Sequence, residues 1–343
     1  MSRWVSKVAV CSALVFMAAC NDAPEELPET EATSSAGTEP ATTATSEPSP
    51  TPLEPATSDP EPPDASTSPK SPTPRPAVFT PARAMRDIRT LAKDIGPREA
   101  TSAAFHQAAD MVQRRFEELG YATSRQPVRA PAGVSWGVPV DAGRSVNVVA
   151  DPAGLDPDAP HLVVGAHLDT VPQAPGAEDN ASGVAAVLEL ARLASSAETR
   201  LPVRFVAFGA EEPRGEGEAW HHFGSKRYVD HLDRSGRDAL RGMISLDRVG
   251  VSAPAVPVCT GGTGSTAVQR SVLRAARGVG VPAEACVNTG SDHYSFELKG
   301  MSAARVGGVS YGAYHSEADL PTVVNPDQLD RVGRIVWAWL TAR

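Results

Sequence analysis

The apolar run Leu162-Val163-Val164-Gly165-Ala166 delivers His167, Leu168 and Asp169 to its carboxyl end, the edge at which open α/β sheets build their sites. A metal-binding imidazole needs its second ring nitrogen fixed by an acceptor, and a carboxylate two residues on can supply one. Nine residues after Asp169 begins Glu178-Asp179-Asn180-Ala181-Ser182-Gly183, at the start of a helical pattern. Amide dipoles favour an anion there, although simple N-capping accounts for this stretch as well. Val203-Arg204-Phe205-Val206-Ala207-Phe208 is followed by Gly209-Ala210-Glu211-Glu212. Two adjacent carboxylates behind an apolar strand are costly to bury unless a cation balances them, so a metal ligand beside a general base competes with a surface turn. Leu246-Asp247 closes another apolar run, and His315 stands in Tyr314-His315-Ser316-Glu317-Ala318-Asp319. Each of these motifs alone is ordinary.

The elements that would position them alternate along the chain. Helical spacing is read at Pro81 to Ile95, Ser102 to Leu119 (closed by Gly120), Ala181 to Ser195, Val268 to Ala276 and Asp327 to Leu340. Short strand-like runs are read at Val146 to Ala150, Leu162 to Ala166, Val203 to Phe208, Met243 to Leu246, near Val256, and at Ala303 to Val306. Strands interleaved with helices at this spacing predict a three-layer α/β/α sandwich around a mixed, largely parallel central sheet.

That fold occupies residues 79–343. Residues 1–20 place Arg3 and Lys7 before twelve mostly apolar residues, Val8 to Ala19, a stretch shorter than the roughly 20 residues that span a bilayer and shaped like an export signal. It ends in Met17-Ala18-Ala19-Cys20, which resembles the lipobox of bacterial lipoproteins and makes Cys20 the expected lipidation site; ordinary cleavage, with Cys20 incidental, is the alternative. Residues 21–78 hold 14 of the 31 prolines, and residues 21 to 69 carry eleven acidic side chains and no Lys or Arg. Nothing there offsets the entropy of folding, so the segment reads as a disordered stalk reaching about 180 Å if extended at about 3.1 Å per residue. The formal charge of −9 therefore comes from the eleven acids of the stalk and the two bases of the leader, leaving thirty acids and thirty bases in residues 70 to 343. No basic field recommends nucleic acid as a partner. An extracytoplasmic location invites a disulfide between Cys259 and Cys286, worth roughly 3 kcal/mol in loop entropy; two unpaired buried thiols are the alternative.

Taken together, His167-x-Asp169, Asp179-Asn180-x-Ser182-Gly183, Glu211-Glu212, Asp247 and Tyr314-His315, in this order, resemble the M28 family of zinc peptidases. Gly224-Ser225-x-x-Tyr228-Val229 and Ser291-Asp292-His293-x-x-Phe296-x-x-x-Gly300 extend the resemblance over roughly residues 84 to 340. It implies an exopeptidase, expected to be an aminopeptidase acting on peptide N-termini through a water that bridges two zinc ions. Asp179 would bridge both ions, His167 and Asp247 would complete one, and Glu212 and His315 the other. Glu211 would be the general base, Asp169 would orient His167, and Tyr314 would hydrogen-bond the oxyanion or simply pack. Asp292 and His293 would line or support the pocket. Two departures stand out. Pro213 to Phe223 is longer than the family's usual few residues, and its His221 and His222 read as solvent-facing. Arg248 replaces an apolar residue and could pair with Asp247 or with a substrate carboxylate, which would favour a carboxypeptidase. Glutaminyl cyclases share the scaffold with a single zinc, and a non-catalytic binding domain is the remaining alternative.

Overall fold

The computed structural model describes residues 78–342. The expected signal segment, Cys20 and all of the stalk but Val78 lie outside the described residues. The described residues open with helix α1 (Pro81–Arg89), continued by a π turn to Ile95, and α2 (Ala103–Glu118). Strands β1 (Ala122–Ala130), β2 (Gly133–Ser135), β3 (Val138–Val140), β4 (Gly143–Asp151) and β5 (His161–His167) follow. Then come α3 (Ser182–Ala194), β6 (Val203–Phe208), α4 (Phe223–His231), α5 (Arg234–Ala239) and β7 (Leu240–Asp247). The last elements are β8 (Val256–Thr260), α6 (Ala267–Gly278), β9 (Ala283–Val287), α7 (His293–Glu297), β10 (Ala303–Gly307) and α8 (Pro326–Thr341).

Eight strands form one mixed sheet in the order β1-β4-β6-β5-β7-β10-β8-β9. The central four, β6, β5, β7 and β10, are mutually parallel, while β1, β4 and the β8–β10 pairing introduce antiparallel edges. Successive side chains of a strand point to opposite faces, and the central strands are apolar on both. Leu162, Val164 and Ala166 of β5 enter a core shared with α1, α2, α3, α6 and α8. Val163 enters the opposite core with Tyr228 and Val229 of α4 and Phe296 of α7. The result is the expected sandwich with helices on both faces. Phe205, wholly buried among Phe116 and Tyr121, illustrates its energetics, since truncating such a side chain to Ala costs about 3–5 kcal/mol.

Local signals explain the helix ends. Ser102 Oγ accepts the Phe105 amide at 3.0 Å and caps α2, and Asn325 Oδ1 accepts the Asp327 amide at 2.8 Å ahead of Pro326 in α8. The periodicity finds these elements but misses β1, the β2–β3 hairpin, β9, α4, α5 and α7. In β1 only Val128 and Ala130 are buried, because an edge strand needs no continuous apolar face; its register comes from pairing with β4. Strand β9 is likewise mostly exposed. Cys259 of β8 lies directly opposite Cys286 of β9, and the two form a disulfide with Cα atoms 4.4 Å apart. No helix among the described residues is long and apolar enough to cross a membrane.

Candidate metal centre

The parallel strands bring their carboxyl ends to one place. His167 and Asp247 are the last residues of β5 and β7, which are adjacent. Asp179 arrives from the other side, at the start of α3. Asn180 fixes it there, its Nδ2 donating to Leu246 O at 2.9 Å and its Oδ1 accepting the Gly183 amide at 3.0 Å. Residue 183 must be glycine, since a Cβ would lie 2.2 Å from that same Leu246 carbonyl. The Asp179–Asn180 peptide is cis. Asp319 accepts the amides of Glu178 and Asp179 at 2.9 and 3.1 Å, completing the cradle. Glu211 and Glu212 follow β6 in a turn, and His315 sits on a loop at φ +54°.

The Asp179 carboxylate stands between the two imidazoles. Its Oδ1 is 3.1 Å from His167 Nε2 and its Oδ2 3.1 Å from His315 Nε2. Asp247 Oδ1 lies 3.8 Å from His167 Nε2, and Glu212 Oε2 3.3 Å from His315 Nε2. Thus His167, Asp179 and Asp247 form one group of donors, Asp179, Glu212 and His315 another, and the donor atoms within each lie no more than 4.8 Å apart. A further grouping, His167 with Glu211 and Glu212, overlaps both. All are buried. Glu212 Oε1, Asp247 Oδ1 and His315 Nδ1 make no hydrogen bond. Imidazole and carboxylate donors, three to a group and sharing one carboxylate, suit a pair of zinc-like cations, so the residues fit the implied metals.

The protonation of the cluster follows from burial set against close neighbours. Burial opposes the charge of His167, yet the carboxylates of Glu211, Asp179 and Asp247 raise its pKa well above the ordinary value. Burial also opposes His315, and Glu212 and Asp179 push it up to about 10. Asp179, despite burial, is held far below the usual range by the two imidazoles. Asp247 is lowered in the same way, chiefly by Arg305 once burial is overcome. Burial wins only at Glu212, whose pKa rises. Protons on the imidazoles thus balance the carboxylates, and a cation entering the cluster must displace them.

Several expected roles change. Asp169 does not orient His167 through its carboxylate, which stays 4.0 Å from Nδ1. That carboxylate accepts the Glu211 and Glu212 amides at 3.0 and 3.1 Å, and His167 Nδ1 instead donates to the Asp169 main-chain carbonyl at 3.1 Å. The carboxylate therefore shapes the Glu211–Glu212 turn. His222 does not face solvent: it is buried, and with His221 it borders the cavity that Glu211 and Glu212 line. His293 is buried and donates from Nε2 to Asn288 O at 2.9 Å; burial lowers its pKa to about 3. It supports the fold by tying α7 to the Asn288 loop. Asp292 beside it is buried too. Arg248 is occupied, its guanidinium 4.5 Å above the Tyr314 ring and its Nε 3.8 Å from Asp247 Oδ1. Tyr314 stacks on His315 at 3.7 Å.

Two contributors escape the sequence reading. Arg305 of β10 places a buried guanidinium nitrogen 3.1 Å from Asp247 Oδ2; an arginine inside an apolar strand carries no signal of its partner. Trp136 caps the β2–β3 hairpin at φ +46°, half-exposed, with its ring 4.3 Å from His315. The dipeptide Trp136-Gly137 between Val134 and Val138 could have revealed a hairpin, but nothing in it says that the hairpin overhangs the metal cluster. Beneath it opens a cavity of about 680 Å³, bordered by Val134, Trp136, Glu211, Glu212, Glu216 and Tyr314 among others.

Comparison with known proteins places this geometry in context. The model of peptidase family M28 matches residues 147–340. Leupeptin-inactivating enzyme 1 of Streptomyces exfoliatus is 28% identical over 272 residues, covering 72% of this chain and 57% of that protein. Aminopeptidase YwaD of Bacillus subtilis is 34% identical over 190 residues, 52% and 40% of the respective chains. The chain thus spans about half the length of the curated relatives it matches. Among solved structures, the zinc aminopeptidase BSAP of Bacillus subtilis superposes with a TM-score of 0.68 at 20% identity, covering 77% of this chain and 95% of that one. A Bacteroides thetaiotaomicron glutaminyl cyclase superposes with a TM-score of 0.66 at 19% identity, covering 78% and 99%. At such identities the likeness is one of fold.

Proposed function

The chain belongs to peptidase family M28, and from that premise we propose that it is an aminopeptidase that hydrolyses the N-terminal peptide bond with two zinc ions. The observation that carries the reading is the Asp179 carboxylate between His167 and His315, with each oxygen 3.1 Å from one ring nitrogen. His167 and Asp247 would hold one ion, Glu212 and His315 the other, and Asp179 both. When bound, the cations polarise the scissile carbonyl and make water a better nucleophile; carboxylate-rich ligation also accepts cobalt or manganese. The protein groups do the rest. Glu211, with Oε2 4.0 Å from His167 Nε2, takes the proton from the attacking water and returns it to the leaving amine. Tyr314, beside His315, donates its hydroxyl to the developing oxyanion.

Substrate direction follows from charge. Glu211, Glu212 and Glu216 border the cavity and favour a protonated N-terminus, whereas Arg248 already sits over Tyr314 and is poorly placed to receive a C-terminal carboxylate. The presence of both donor groups also supports the peptidase reading over a single-zinc cyclase. The leader ending at Cys20 and the 21–78 segment support a reading in which the 79–343 domain lies outside the cytoplasm on a lipid-anchored stalk; mass spectrometry finding an unmodified Cys20 in protein from the native membrane would remove the anchor.

The test is a peptide panel incubated with the full chain, with and without a chelator, read by mass spectrometry. Chelator-sensitive loss of the first residue, sparing an N-acetylated peptide, is the expected result. Trimming from the carboxyl end would indicate a carboxypeptidase, loss of ammonia from an N-terminal glutamine a cyclase, and no change with metal present a binding domain. Glu211→Gln should keep its metal and lose turnover by about 10²–10⁴-fold; unchanged turnover would remove Glu211 as the base.

A further inference from the structure

The loop from Pro213 to Phe223 carries, just before its last residue, a histidine with an unusual burden. His222 is buried although its backbone occupies the left-handed region at φ +58°, a conformation costly for a residue with a Cβ. Main-chain hydrogen bonds pin it: its amide donates to Glu211 O at 2.9 Å, and the next amide, Phe223, to Ala210 O at 2.8 Å. The loop therefore folds back onto the Glu211 turn itself. The imidazole lies between two carboxylates. Its Nδ1 is 3.1 Å from Glu218 Oε1, and its Nε2 is 3.2 Å from Glu211 Oε1, close but off the straight hydrogen-bond line. Glu218 is braced from outside by Lys226 Nζ at 2.9 Å. The other oxygen of Glu211 is the one facing His167.

We infer that His222, braced by Glu218, is a positioning residue for Glu211: it ties Oε1 to the loop and leaves Oε2 turned to the metal cluster. The inference rests on the proposed role of Glu211 as base. A glutamate side chain has three rotatable bonds, and its amide contact with Asp169 fixes only the backbone. Holding one oxygen restricts the carboxylate to orientations in which the other can accept a proton, and misplacement of a reacting group by about 1 Å can cost about 10²-fold in rate. The contact can straighten when substrate closes the pocket, as catalytic hydrogen bonds commonly do.

The test uses the full-length, zinc-loaded protein and three variants. His222→Asn tolerates the left-handed backbone but is too short to reach Glu211, His222→Gln restores an N–H donor near the place of Nε2, and Glu218→Gln loosens the brace. For His222→Asn, zinc content by elemental analysis should be unchanged, KM should stay within about twofold, and kcat should fall about tenfold or more. His222→Gln should recover most of that loss, and Glu218→Gln should lose less than His222→Asn. A kcat equal to wild type in His222→Asn, or a loss that His222→Gln does not recover, would overturn the inference. In ¹⁵N-histidine-labelled protein the His222 Nε2 resonance should shift on Glu211→Gln; an unmoved resonance would also overturn it. A wild type that cleaves no peptide would sink the peptidase reading, while the resonance still decides whether the contact exists.

Discussion

The two donor groups that meet at Asp179 are built from different material. His167 and Asp247 end neighbouring strands, and Asp247 is backed by Arg305 from the next strand of the same sheet. Glu212 and His315 ride on loops: one is set by the Asp169 carboxylate through its amide, the other by a turn under the Trp136 hairpin. Sheet hydrogen bonds fix the backbone of the first half. In the second half each position depends on a few polar contacts that could be removed singly. The difference teaches that one shared carboxylate can join a wall built on sheet pairing to a wall built on loops.

Breaking the shared element should have the largest effect. Asp179→Asn removes the charge that both halves use, and is expected to abolish tight binding of both metals and to lower kcat/KM by more than about 10³-fold, read by elemental analysis and initial rates. Retention of two equivalents of zinc would mean that the halves do not depend on a common carboxylate. Arg305→Gln attacks the strand-borne half alone. Breaking a buried ion pair costs about 3–5 kcal/mol, so denaturant unfolding should shift by that order, and metal titration should show one site weakened about 10- to 100-fold with the other retained. Equal weakening of both sites would erase the distinction between the halves.

Acidity supplies the smallest and most graded probe. Without metal the His315 imidazole, opposed by burial and held up by Glu212 and Asp179, has its pKa at about 10. A cation in the loop-borne half must displace that proton at any lower pH, so affinity there should rise about tenfold per unit as pH increases and level off near the imidazole pKa. The raised Glu212 pKa adds a second displaced proton under acid conditions, so the slope steepens as pH falls. Calorimetric titration in buffers of different ionisation enthalpy measures the protons released; none would contradict the protonated imidazole.

The strand-borne half was also the more legible. Apolar runs such as Leu162 to Ala166 announce a strand by composition, and a polar residue at its end announces a site. His315 carried no such local context; only its agreement with the family's order of motifs singled it out. Arg305, Trp136 and the brace on Glu211 were illegible for a shared reason: each acts through a partner far away in sequence, and neither periodicity nor residue type encodes which partner that is. Asp169 shows the intermediate case, where residue and neighbourhood were read and the bonding partner was not. Edge strands β1 and β9 were missed because half-exposed backbone pairing needs little apolar pattern.

The disulfide at the far edge bears on how this molecule would come apart. A sheet frays from its margins, and β9, the outermost strand on that side, is short and mostly solvent-facing. Stitched to β8 through the fourth of its five residues, it cannot peel away alone, so unravelling from this margin would have to lift two strands together before it reached the Arg305 strand and then the strand that carries Asp247. The covalent clasp is thus a breakwater: it stands between the outermost border of the sheet and the wall on which one metal would rest.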